Sequence, residues 1–148
     1  MKTQRTLILA AAAVLAACAA GPSNTSQGGP AYRGCWIERH ENGWSTLRWA
    51  PGENGAWRGD WARNRAGDET QTAAFALSTA SGGGQQICGP SDGEQRCFPL
   101  TLGAYAPPAA NASESRAYLD ANETNLTFAL VDDGREELVF RGERDACN

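Results

Sequence analysis

Arg33-Gly34-Cys35-Trp36-Ile37-Glu38-Arg39-His40 is the stretch whose reading decides the fold. It carries a large aromatic of the kind that is buried and a cysteine, and it runs into Glu41-Asn42-Gly43, where Asn-Gly is a strong hairpin signal. The cysteine is expected to pair with Cys147 at the far end of the chain. First and last segments are then neighbours, as they are when an antiparallel sheet closes on itself.

Working outward, the pattern is one of short strands with turn signals between them, and no apolar stripe at helical spacing runs longer than about two turns. A second strand is predicted over Trp44–Ala50, ended by Pro51-Gly52-Glu53-Asn54-Gly55. A third, Ala56–Arg63, puts Trp57, Gly59 and Trp61 on one face and Ala56, Arg58, Asp60 and Ala62 on the other, the period of a half-buried sheet. Thr70–Ser78 follows, with Ala73, Phe75 and Leu77 in alternation. Gln85–Cys88 and Gln95–Leu102 flank a predicted turn at Gly89-Pro90-Ser91-Asp92-Gly93, with Pro99 marking an edge or bulge. Gly103–Ser113, with Pro107-Pro108, reads as a loop, and Glu114–Asp120 as a strand or one helical turn. Leu126, Phe128 and Leu130 alternate, Asp132-Asp133-Gly134 turns, and Glu137–Arg141 is the last strand. The expected fold is all-β: a small antiparallel up-and-down barrel of eight or nine strands, a sandwich being the alternative.

Four cysteines lie in this region, Cys35, Cys88, Cys97 and Cys147, an even number that in an oxidising compartment predicts two disulfides. Cys88 and Cys97 bracket the turn that folds the chain back on itself, which leaves Cys35 for Cys147. No Cys-x-x-Cys pair is present and His40 is the one histidine, so neither a zinc site nor any other metal or cofactor is expected.

The compartment follows from the start of the chain. Lys2 and Arg5 form a basic segment, and Leu7–Ala17 is an apolar run too short to span a bilayer, together an export signal. Leu15-Ala16-Ala17-Cys18 resembles the lipobox of bacterial lipoproteins. The resemblance implies a signal peptide over residues 1–17 and palmitate-type acylation of Cys18, which becomes the new N-terminus and the link to the membrane. Ala19 and Ala20 follow the cysteine in place of the aspartate associated with inner-membrane retention, which implies the periplasmic face of the outer membrane. Residues 18–30 have no aromatic side chain and read as a flexible tether, and residues 31–148 as the single barrel domain. With Lys2 and Arg5 removed, eleven basic residues face seventeen acidic ones, a net of −6. So acidic a domain is a poor partner for nucleic acid.

All five tryptophans, Trp36, Trp44, Trp49, Trp57 and Trp61, fall in the first three strands. They form either a core wall or one side of a ligand pocket, in which Arg48, Arg58 or Glu38 supplies the polar end. Gly34-Cys35-Trp36 resembles the Gly-x-Trp that opens lipocalins and related calycin barrels, and Arg141 resembles the arginine that packs across that tryptophan from the last strand. The first functional reading is a non-enzymatic binding module, a lipid-anchored barrel that holds a small apolar or amphipathic molecule or helps maintain the envelope. His40 beside a turn reads as a solvated residue, and the carboxylate pairs Asp132-Asp133 and Glu136-Glu137 as hairpin-turn residues. Small anchored periplasmic barrels also inhibit lysozyme or secreted proteases by inserting a loop. The alternative is therefore an inhibitor acting through the Cys88–Cys97 loop, rigid before it binds.

Overall fold

The computed structural model describes residues 29–109 and 111–147, so the leader, Cys18 and nearly all of the tether lie outside the described residues. The alternation of the opening stretch persists through the sheet. In β1 (Gly34–His40) Trp36 is fully buried, and in β2 (Gly43–Pro51) Ser45, Leu47 and Trp49 turn inward while Trp44 and Arg48 turn outward. The remaining strands are β3 (Trp57–Arg65), β4 (Gln71–Thr79), β5 (Gln85–Ser91), β6 (Glu94–Leu102), β7 (Arg116–Ala121), β8 (Asn125–Asp132) and β9 (Arg135–Asp145). They pair in chain order, and β1 pairs with β9 through Cys35–Ile37 against Glu143–Asp145, closing a nine-stranded barrel.

Every neighbouring pair is antiparallel except β6 and β7, which run parallel through Leu100–Leu102 and Ala117–Leu119. The reason is arithmetic: nine is odd, so a ring of alternating strands must contain a parallel pair. The up-and-down expectation thus holds except at this pair. Parallel neighbours need a crossover of about a dozen residues or more, and the segment between Leu102 and Arg116, most of it the loop expected over Gly103–Ser113, is that crossover. It lies against the outer face of β7 and β9: the Tyr105 ring meets Tyr118 edge-on at 5.2 Å, the Tyr105 hydroxyl donates to Glu136, and Gly134 N–H donates to Glu114 O at 2.9 Å. Burial above all, with the Glu136 carboxylate behind it, pushes the Tyr105 phenol well above its ordinary pKa.

The turns are tighter than the sequence suggested. β5 continues through Gly89-Pro90-Ser91, and the hairpin closes on Asp92-Gly93 alone, both with positive φ (49° and 79°). Asp133-Gly134 repeats the device between β8 and β9 (47° and 73°), the backbone of the two-residue hairpin that Asp-Gly favours. The disulfides Cys35–Cys147 and Cys88–Cys97 are both formed, the second joining residues directly opposite each other in the β5–β6 ladder.

The strand directions give the barrel two unlike ends. The base holds Gly34, Pro51, Trp57, Leu102 and Asp145; the mouth holds the β1–β2, β3–β4, β5–β6 and β8–β9 turns. At the base, Tyr32 stacks edge-on against Trp49 and Trp57, at 5.9 and 5.5 Å, and its backbone carbonyl accepts the indole N–H of Trp36 at 2.9 Å. The interior between the ends is filled by side chains: Trp49 and Phe75 each meet Phe128 edge-on, and Phe98 and Phe140 are buried beside them. Gly59 is required under Trp49, because a Cβ there would lie 2.8 Å from the indole ring.

Candidate binding site

The residues expected to line a pocket separate by strand parity. Trp36, Trp49 and Trp61 are buried in the core, Trp57 is half-buried at the base against Tyr32, and Trp44 is exposed on the outer face. The core-wall reading therefore describes three of the five rings. Arg48 and Arg58 also face outward, since both alternate with buried neighbours. They border a shallow groove of Thr and Ala side chains on the outside of β2–β4, where Arg58 pairs with Asp60 at 2.8 Å. Neither can supply the polar end of an interior site.

Arg141 must also be corrected. It lies between buried Phe140 and buried Gly142, hence outward, opposite Thr127. The guanidinium over the Trp36 ring is that of Arg144, 3.9 Å from the ring centroid. Inward parity on β9 runs Phe140, Gly142, Arg144, so the cation sits three residues beyond the expected one. Arg144 is also a tie: Nε donates to Glu123 O at 3.0 Å, Nη1 to Arg33 O at 2.6 Å, and Nη2 to Ala31 O at 3.0 Å. The arginine thereby joins the entering chain, the β7–β8 turn and the last strand.

The mouth is where the interior becomes polar. Glu38 is the expected polar residue that does face inward, and the same parity brings in three residues the sequence reading did not select: His40, Ser45 and Arg63. Ser45 is fully buried. Its Oγ shares a hydrogen bond with His40 Nε2 at 3.0 Å and accepts one from Arg63 Nε at 3.2 Å. His40 Nε2 is 3.7 Å from Glu38 Oε2, so this histidine is part of a network and not merely a solvated turn residue. The Arg63 guanidinium lies 5.3 Å from the centroid of the Trp61 ring. Among the described residues, Glu38 Oε2 has no hydrogen-bond donor, and neither Trp49 Nε1 nor Trp61 Nε1 has an acceptor, although all three atoms are buried. Such an unmet group costs about 1 to 3 kcal/mol, and more when charged. The signal for this cluster was present as the period of two: counting outward from Trp36, Leu47 and Trp61 reaches Glu38 and His40, Ser45, and Arg63.

Across the mouth lies a second polar cluster, this one complete. Asp132, 3 % exposed, accepts from the Ser91 hydroxyl at 2.9 Å and from Arg96 on Oδ2, and from the Ser115 hydroxyl at 2.7 Å on Oδ1. Ser115 Oγ in turn accepts the Asp133 N–H at 3.0 Å. The Ser115 hydrogen bond above all, with Ser91 and Arg96 behind it, holds the Asp132 carboxyl below the usual carboxylate range against the opposing effect of burial. Of the carboxylates assigned to hairpin turns, Asp132 is thus interior: it fastens the β5–β6 hairpin and the end of the crossover to β8.

Comparison of the chain with protein-family models, with curated proteins and with solved structures found no match in any of the three.

Proposed function

We propose that the chain is a non-enzymatic lipoprotein of the periplasmic face of the outer membrane, anchored through acylated Cys18, whose calycin-like barrel binds a small amphipathic molecule at its mouth. The observation that carries this reading is the unlikeness of the two ends. The base is stoppered by Tyr32, Trp36 and Arg144, with the Gly-x-Trp and stacked arginine expected of a calycin barrel. The mouth leads instead to the Glu38, His40, Ser45 and Arg63 network, where among the described residues Glu38 Oε2 has no donor. Because aromatic side chains fill the middle, the ligand would sit in the mouth, with its apolar part against Trp61 and its neighbours. Catalysis is disfavoured by geometry. The Ser45 hydroxyl is fully buried, and His40 turns the same nitrogen toward both Ser45 and Glu38, whereas a relay needs one ring nitrogen for each.

The test is native mass spectrometry of the full chain extracted from membranes, with Cys18→Ala as comparison. The expected result is a triacylated wild type carrying a co-purified small molecule, and a variant found in the soluble fraction. A soluble wild type with unmodified Cys18 and no bound mass would sink the proposal. A second reading, inhibition of lysozyme or a secreted protease, is favoured by the cross-braced β5–β6 hairpin, whose residues Asp92–Cys97 are all exposed. Stoichiometric inhibition of either enzyme class would favour that reading over the first.

A further inference from the structure

Two half-rings of similar chemistry line the mouth, and only one is finished. On the β5–β8 side a carboxylate (Asp132), hydroxyls (Ser91, Ser115) and a guanidinium whose carbon lies 5.9 Å from an aromatic centroid (Arg96 by Phe98) all engage one another. The β1–β3 side has the same ingredients: Glu38, Ser45, and Arg63 by Trp61. There they fail to close. His40 and Ser45 stand between the carboxylate and the guanidinium, and among the described residues Arg63 makes no ion pair, its one side-chain hydrogen bond running from Nε to Ser45. Among the described residues Glu38 Oε2 also lacks a donor, His40 Nε2 lying 3.7 Å away, and Trp61, 8 % exposed, lacks an acceptor for its indole N–H. Buried polar atoms are nearly always satisfied, so each exception calls for a missing partner.

The needs are opposite in sign on the two sides of His40 and Ser45. A partner must donate at Glu38 and accept at Arg63 and Trp61. An anion alone would lie beside the Glu38 carboxylate, and a cation alone beside the Arg63 guanidinium. We propose that the unfinished half of the mouth is a binding site for a small zwitterion, an α-amino acid or short peptide, with its ammonium group on Glu38 and its carboxylate on Arg63 and Trp61 Nε1. The inference rests on the reading of the barrel as a small-molecule binder and names the ligand class of that site.

Titration calorimetry of the full chain in detergent tests it, using leucine and dialanine as zwitterions, N-acetyl-leucine without the ammonium, leucinamide without the carboxylate, and glycerol as a neutral hydrogen-bonding control. A zwitterion is expected to bind one per chain, and each blocked form at least about tenfold more weakly, since each lost charge-assisted hydrogen bond is worth that much. Glu38→Gln, which keeps the side-chain shape, should abolish the discrimination against N-acetyl-leucine and leave that against leucinamide; Arg63→Gln should do the reverse. Near-ultraviolet circular dichroism matching wild type shows that both variants are folded. Equal binding of blocked and unblocked forms, binding of glycerol alone, or no binding by either zwitterion overturns the proposal, the last meaning that water completes the network. If a co-purified mass is found by native mass spectrometry while the zwitterions fail, the ligand class falls and the binder reading stands; if both experiments are blank, both fall.

Discussion

Replacing Arg144 with alanine tests the closure of the barrel more directly than any other single change. Arg144 lies 3.9 Å over Trp36 and makes three well-formed hydrogen bonds to carbonyls of Ala31, Arg33 and Glu123. The stacked cation is worth about 1 kcal/mol at an exposed site. Each hydrogen bond, discounted because the carbonyls left behind can be rehydrated, adds about 0.5 kcal/mol. The expected loss is about 2.5 kcal/mol, which for a domain of this size lowers Tm by about 10 °C. Arg144→Lys keeps the charge and loses the planar fork, and should lose about 1.5 kcal/mol. The control is Arg141→Ala: that side chain faces outward, and its removal should change stability by less than about 0.5 kcal/mol. Urea unfolding followed by tryptophan fluorescence, with disulfides intact, measures all three. If Arg144→Ala and Arg141→Ala prove equally mild, the guanidinium contributes nothing to closure and Arg144 is not the tie at the base.

Asp132 gives a pH prediction with a definite sign. Its carboxyl is held below the ordinary value, so the stability it contributes is present above the unfolded-state pKa of about 3.9 and is lost as pH falls through the lower folded-state value. Wild type should weaken in acid below about pH 4, whereas Asp132→Asn should be about 3 kcal/mol less stable at pH 7 and show a flatter acid limb in urea titrations at stepped pH. A variant as stable as wild type at neutrality would contradict the fastening role. The disulfides should rank by loop size: by the chain-entropy model, Cys35→Ser/Cys147→Ser, opening a separation of 112 residues, should lose about 5 kcal/mol, and Cys88→Ser/Cys97→Ser, opening one of 9, about 2.5 to 3 kcal/mol. Comparable losses in the two double variants would point to native-state effects and not chain entropy.

Much of the fold was legible because alternation and turn chemistry are local. Trp57-x-Gly59-x-Trp61 declared its inner face, and Asp-Gly and Asn-Gly marked the hairpins. The disulfide pairing was legible because one pair brackets a turn. Non-local features were not. The parallel β6–β7 contact depends on how many strands share the ring, which is not encoded near either strand, and the crossover has no periodicity because it lies over the sheet and is not part of it. A last strand that stops at Arg141, as Glu137–Arg141 predicts, hides Arg144 from the count. In the structure β9 runs on to Asp145, and counting inward positions along its full length reaches Arg144. Of the polar mouth only Glu38 is legible locally: Ser45, Arg63 and His40 are ordinary surface residue types whose inward placement shows only once each strand's parity is followed to its end.

The described chain both enters and leaves at the base, where Cys35 is bonded to Cys147. The described residues ahead of β1 therefore meet the barrel at the same end as the last strand leaves it. The rim, with the Asp92-Gly93 tip beside it, lies at the opposite end, clear of both ends of the described chain, and is the face open to an arriving molecule.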